Sequence, residues 1–134
     1  MPKCFVYLAK CDGGSLGICF YVGTWAGKNP ETRFNMHRSG EGGSRFCQTY
    51  KPFAFEVLGR FATIRKAQIF EQRTTEDYMI KFGFRNVRGG DCLNMRSDCY
   101  QLRNLRWWLT GRLQPYLLSG ELGSPDPEPL VEAY

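Results

Sequence analysis

The chain reads as an α+β domain, a small three-stranded antiparallel sheet flanked by helices. Three observations predict it. Three short segments are rich in β-forming and apolar types: 4–9, 18–24 and 53–58. Between and after them lie stretches that begin with capping residues and end at glycines, the punctuation of helices. Composition then allows a packed core. Of 134 residues, 43% are hydrophobic and 15% aromatic, enough without disulfides or a structural metal.

The elements follow in order. Cys4-Phe5-Val6-Tyr7-Leu8-Ala9 is the first strand and Ile18-Cys19-Phe20-Tyr21-Val22-Gly23-Thr24 the second. The turn-rich stretch from Lys10 to Gly17 makes them a β-hairpin. Asn29-Pro30-Glu31 opens a helix. Asn29 caps it, Pro30 suits its first position, and Glu31 complements the positive end of the dipole. This helix runs to Ser39 and stops at Gly40. Gly40 to Pro52 is polar and glycine-rich and reads as a mobile surface loop. Phe53 to Leu58 is the third strand, and residues 64–82 are the longest helix, ended by Gly83. Asn86-Val87-Arg88-Gly89-Gly90 is too glycine-rich for extended regular structure. Leu102, Leu105, Leu109 and Leu113 predict a further helix over 96–112, carrying Trp107 and Trp108. The organisation expected is a domain over 1–95, a helical extension over 96–120 and a disordered, acidic, proline-rich tail over 121–134.

The net charge of +5 favours a polyanionic partner without specifying one. The sequence has no apolar run long enough to span a membrane and no signal-peptide core, so the expected location is cytoplasmic. The six cysteines form no C-x-x-C pair, and His37 is the only histidine, which argues against a zinc site. Cys4 and Cys19 fall inside apolar runs and read as small core residues.

Several polar residues suit phosphodiester chemistry, and each has a plainer reading. Arg33 and His37 are four apart and share a helix face. Arginine binds phosphate in a fixed fork, and histidine moves protons near neutral pH. The plainer reading is a solvated face. Glu71 lies mid-helix near an apolar face and can ligate a hard cation. Pairing with Arg65 or Gln68 would explain it equally well. Tyr7 and Tyr21 stand near strand ends and act as bases only where cations lower the phenol pKa. Tyrosines in strands are more often core or edge aromatics. Asn86 can hold a phosphate or fix another side chain, or simply make a turn.

The order of these residues resembles the GIY-YIG nuclease family. Phe5-Val6-Tyr7 stands where that family has Gly-Ile-Tyr, and Tyr21-Val22-Gly23 where it has Tyr-Ile-Gly. Arg33 and His37 match the family's arginine and its partner one turn later, Glu71 the helical glutamate, and Asn86 a later asparagine. The resemblance covers residues 4–90. It implies that Tyr7 activates or orients water, with Tyr21 in support. It also implies that Arg33 binds the scissile phosphate, His37 assists proton movement, and Asn86 organises the site. Glu71 becomes the sole protein ligand of Mg2+ or Mn2+. Two departures stand out. Phe5 replaces the first glycine, and Thr24-Trp25 occupies the place where the family often has a lysine.

The resemblance implies a metal-dependent DNA endonuclease of restriction, phage or mobile-element type, acting on double-stranded DNA. Arg38, Arg45, Lys51 and Arg88 are the cations expected along the phosphate backbone, with Arg85 beside them. The helix over 96–112 is a candidate homodimer surface, which would decide between nicking and cutting both strands. The alternative is a non-catalytic nucleic-acid-binding module with a degenerate site, suggested by Phe5.

Overall fold

The computed structural model describes residues 3–27, 29–42 and 44–89, together with residue 115. The helix expected over 96–112, its tryptophans, the dimer surface and the acidic tail lie outside the described residues. Strand β1 (Cys4–Asp12) and β2 (Ile18–Trp25) form the expected hairpin, closed by a 3-10 turn at Gly14–Leu16. Helix α1 (Pro30–Ser39) and the short helix α2 (Arg45–Thr49) follow. Strand β3 (Pro52–Phe61), the long helix α3 (Ile64–Phe82) and strand β4 (Val87–Gly89) complete the order.

The sheet has four strands in the order β3-β1-β2-β4. The expected three are antiparallel neighbours, and the fourth is an addition that pairs parallel to β2. β1 therefore lies inside the sheet, which explains why it alternates without a polar face. Phe5, Tyr7, Ala9 and Cys11 face one layer, and Cys4, Val6 and Leu8 face the other. The first layer packs against Phe34 of α1 and Phe46 and Cys47 of α2. The second packs against Ala67 and Met79 of α3. As expected, Cys4 and Cys19 are buried core residues.

The helix boundaries follow their caps. The Asn29 side chain accepts the Glu31 amide at 3.0 Å, and Gly40 ends α1 in the left-handed region at φ 81°. Thr63 accepts the Lys66 amide and starts α3. The stretch from Gly40 to Pro52 differs from the mobile loop expected. The Ser44 hydroxyl accepts the Cys47 amide at 3.1 Å and starts α2, which buries Phe46 and Cys47. Burial of an aromatic ring outweighs the unfavourable glycines that precede it.

The β1–β3 register is broken at two steps, Val6/Tyr7 and Lys10/Cys11. Val6 pairs with Gly59 but Tyr7 pairs with Val57, so Leu58 is an extra residue opposite that step. Such a bulge increases local twist and re-aims neighbouring side chains. Replacing Thr63 with alanine removes the α3 cap and is expected to cost about 1 kcal/mol of stability. A lower urea midpoint with an unchanged slope checks it.

Candidate active site

Tyr7 is the centre of the polar cluster. It is fully buried on the layer that faces α1, and its cross-strand partner on β2 is Gly23. A Cβ on Gly23 would lie 2.5 Å from both the Tyr7 Cζ and hydroxyl, and 2.9 Å from Tyr21 Cε2. The glycine is thus the slot in which the phenol lies. Tyr21 is on the same face, two residues earlier, with its ring centroid 6.2 Å from that of Tyr7.

Helix α1 brings two donors to the Tyr7 oxygen. The Arg33 Nε–H donates to it at 3.2 Å. His37, buried one turn later, places Nε2 at 2.5 Å from the same oxygen. The tautomer is set from behind. The Ser44 backbone N–H donates to His37 Nδ1 at 3.3 Å, so that nitrogen holds a lone pair and Nε2 carries the proton. In this tautomer His37 is a donor to Tyr7. With two donors aimed at its oxygen, Tyr7 directs its own proton elsewhere. Arg33 Nη1 also donates to the Gly42 carbonyl at 2.9 Å, which ties the glycine-rich segment to the site.

Charge on the two phenols is set by competing effects. Burial pushes the Tyr7 phenol upward, with Tyr21 adding to it, while Arg33 opposes both through its charge and its hydrogen bond. Burial wins, so Tyr7 is a neutral phenol at rest. Burial pushes Tyr21 up to about 12, helped by Cys47 and Glu71 and opposed by Arg33 and the Ser44 hydroxyl. Glu71 is thus within electrostatic reach of Tyr21. It is half-buried and shares a stripe of α3 with Ala67 and Thr75, whose hydroxyl donates to the Glu71 carbonyl at 2.8 Å. The buried Cys11 thiol donates to the Ala9 carbonyl at 3.9 Å and interacts with the buried Cys47 thiol. That interaction raises the Cys11 thiol and lowers that of Cys47, which His37 and Ser44 lower further against burial.

Two tyrosines, an arginine and a histidine thus pack on one sheet face, while Glu71 stands on α3, which covers the other layer, and acts on Tyr21 through its charge. The GIY-YIG catalytic domain model matches residues 3–80. The chain belongs to the GIY-YIG nuclease family. No curated protein and no solved structure matches the chain.

The GIY-YIG domain accommodates Phe5 without disturbing Tyr7. Phe5 is fully buried, with its ring centroid 5.9 Å from Tyr7 and 6.5 Å from Phe34. It fills the layer beneath α1 and leaves the hydroxyl contacts intact. Asn86 is placed differently from expectation, and the family match ends before it. Its amide donates to the Leu16 carbonyl at 3.1 Å and the Ile18 carbonyl at 3.4 Å, at the end of β2 away from Gly23. It holds the hairpin turn.

The four cations expected along DNA also divide. Arg88 is fully buried, and its guanidinium donates to the Phe84 and Val87 carbonyls at 2.7 and 2.8 Å. That corrects its placement on a phosphate-binding face, because a guanidinium inside the core cannot meet solvent-borne phosphate. Arg38 is exposed and pairs with Glu31 at 3.0 Å. Lys51 is exposed beside Asp12 and Phe53, in a hollow of about 620 Å3 at the far end of β1. The Arg45 side chain lies outside the described residues.

Ser44 and Gly23 are site residues whose roles sequence reading missed. A serine before an Arg-Phe-Cys run is a helix-start signal, hidden by the glycines ahead of it. Gly23 is visible as a motif letter, but its function as a slot is not. Gly23→Ala is expected to cost about 1–3 kcal/mol through overpacking, and to shift the Tyr7 ring signals in NMR spectra. A titration gives a second check. Tyr21 holds its proton more tightly folded (about 12) than unfolded (about 10). Its contribution to stability is therefore full below about pH 10 and is lost as pH rises toward 12. Melting temperature should fall over that window, and less steeply in Tyr21→Phe.

Proposed function

We propose that this chain is a divalent-metal-dependent DNA endonuclease that hydrolyses phosphodiester bonds in duplex DNA. One observation carries the reading: the buried Tyr7 oxygen accepts from both Arg33 and His37, with Glu71 in electrostatic reach of the adjoining Tyr21.

The residues fit a hard cation. Glu71 offers oxygen, and among the described residues no cluster of three or more His, Cys, Asp or Glu side chains competes for it. Mg2+ or Mn2+ held by one carboxylate would retain most of its waters, a coordination that suits these ions. When bound, the ion supplies Lewis-acid stabilisation of charge on the phosphate and the leaving oxygen.

The chain's own residues do the rest. Arg33 binds the non-bridging oxygens of the phosphate through the guanidinium edge not engaged by Tyr7 or Gly42. Tyr7, buried in the resting protein, meets the attacking water only when its hydroxyl is uncovered, and takes its proton when in the phenolate form. Hydrogen bonds from Arg33 and His37 stabilise that form, while burial opposes it. His37 keeps its donor aimed at Tyr7 because Ser44 occupies its other nitrogen. Tyr21 walls the site and restricts the Tyr7 ring. Among the exposed cations, Arg38 lies on the same helix as Arg33 and would release Glu31 to meet the backbone. A single site cuts one strand at a time, so a monomer nicks duplex DNA.

Supercoiled plasmid with Mg2+ or Mn2+ is the test. Wild type should convert it to open circles, and EDTA should stop the reaction. Glu71→Gln and Arg33→Ala should each lose at least about a hundredfold in rate, the scale of removing one transition-state charge contact. Tyr7→Phe should match them, and the wild-type rate should rise with pH between about 6 and 9, as the phenolate fraction grows. Salt-dependent binding without nicking, under both metals, would establish instead a non-catalytic binding module.

A further inference from the structure

Trp25 ends β2 and stands directly opposite Phe5 on β1. Phe5 and Trp25 both fall where this chain departs from the family motif, so the two departures face each other on paired strands. Phe5 is buried beneath α1, and Trp25 packs against the same aromatic layer. The indole is then covered by Arg33, whose Cζ lies 4.8 Å from the ring centroid. From another side the indole meets backbone. A Cβ on Gly27 would fall 2.3 Å from Trp25 Nε1 and 2.8 Å from Cδ1. Trp25 is therefore wedged between a backbone turn and a guanidinium.

The consequence falls on Arg33. An arginine has five N–H donors in one plane. Nε is committed to Tyr7, and Nη1 to the Gly42 carbonyl. These bonds lie in the plane and leave its tilt weakly fixed. An aromatic face at cation–π distance fixes the tilt and removes water from one side. The remaining edge, Nη2, carries no hydrogen bond within the described residues. An in-plane phosphate would meet that edge.

We propose that Trp25 is the positioning residue for Arg33: its indole face clamps the guanidinium so that the Nη2 edge meets the scissile phosphate. The phosphate half of this proposal rests on the nuclease reading above, and the clamp itself does not. Trp25 acts through Arg33 and touches no reacting atom.

Two measurements test it, on Trp25→Leu and Trp25→Phe chains whose circular dichroism matches wild type. The first is the NMR signal of the Arg33 Nε–H, which an indole face shifts upfield. The shift should disappear in Trp25→Leu and persist in part in Trp25→Phe. The second is single-turnover plasmid nicking at saturating enzyme. Trp25→Leu should nick about tenfold more slowly, the order expected for one partly desolvated cation–π contact, while DNA affinity changes less than about threefold. Trp25→Phe should recover most of the rate. In an Arg33→Ala background, Trp25→Leu should slow residual nicking no further. An Arg33 signal unmoved in Trp25→Leu overturns the clamp, whatever the nicking rate. A moved signal with wild-type nicking overturns the positioning role, as does an equal loss in the Arg33→Ala background. A wild type that nicks nothing overturns the nuclease reading and the phosphate half with it, while the NMR result still decides the clamp.

Discussion

The site depends on one close approach, that of the Tyr7 ring to the bare backbone of Gly23. Pairing of β1 with β2 sets these residues opposite each other, and the missing Cβ lets the phenol lie flat between the strands and α1. From there its oxygen reaches Arg33 and His37 together. Any side chain at Gly23 would displace the acceptor on which both α1 donors converge. The bulge at the step from Val6 to Tyr7 adds twist at the same place. Strand geometry and helix placement therefore meet at a single oxygen atom.

Burial and charge oppose each other at that oxygen. Desolvation keeps Tyr7 protonated, and the arginine beside it favours the ion. The protein holds a neutral phenol whose anion is already provided with donors, so little reorganisation accompanies proton loss. Ser44 extends this logic by one step. It caps α2 with its hydroxyl and fixes the His37 tautomer with its amide. The short helix α2 thereby links the fold of the glycine-rich segment to the direction of the His37 hydrogen bond at the site. Arg33 makes a parallel link through Gly42.

Much of the fold was legible locally. Asn29, Pro30 and Gly40 mark the ends of α1 because capping bonds and left-handed glycines are set by near neighbours in the chain. The same holds for α3 from Thr63 to Gly83. Helix α2 was not legible, since its stability comes from burying Phe46 and Cys47 against strands distant in sequence. Strand β4 was hidden for a similar reason. Its strand pairing comes from β2, a partner far away in the chain. Arg88 was expected at the surface because arginines are rarely buried, and the Phe84 and Val87 carbonyls help to hold this one inside.

The sequence by itself determined the chemistry available. It set a histidine one turn from an arginine, a carboxylate on a long helix, and tyrosines at fixed places on paired strands, together with the family to which that order belongs. Tertiary structure alone decided which of these act together. It brought Tyr7, Tyr21, Arg33 and His37 into one layer, left Glu71 on the helix that covers the other layer, sent Asn86 to the hairpin turn, and drew Arg88 into the core. The reason is physical. Residue type and helical spacing are local properties, whereas shared hydrogen bonds, desolvation and electrostatic reach depend on strand register and on which face of the sheet each helix covers.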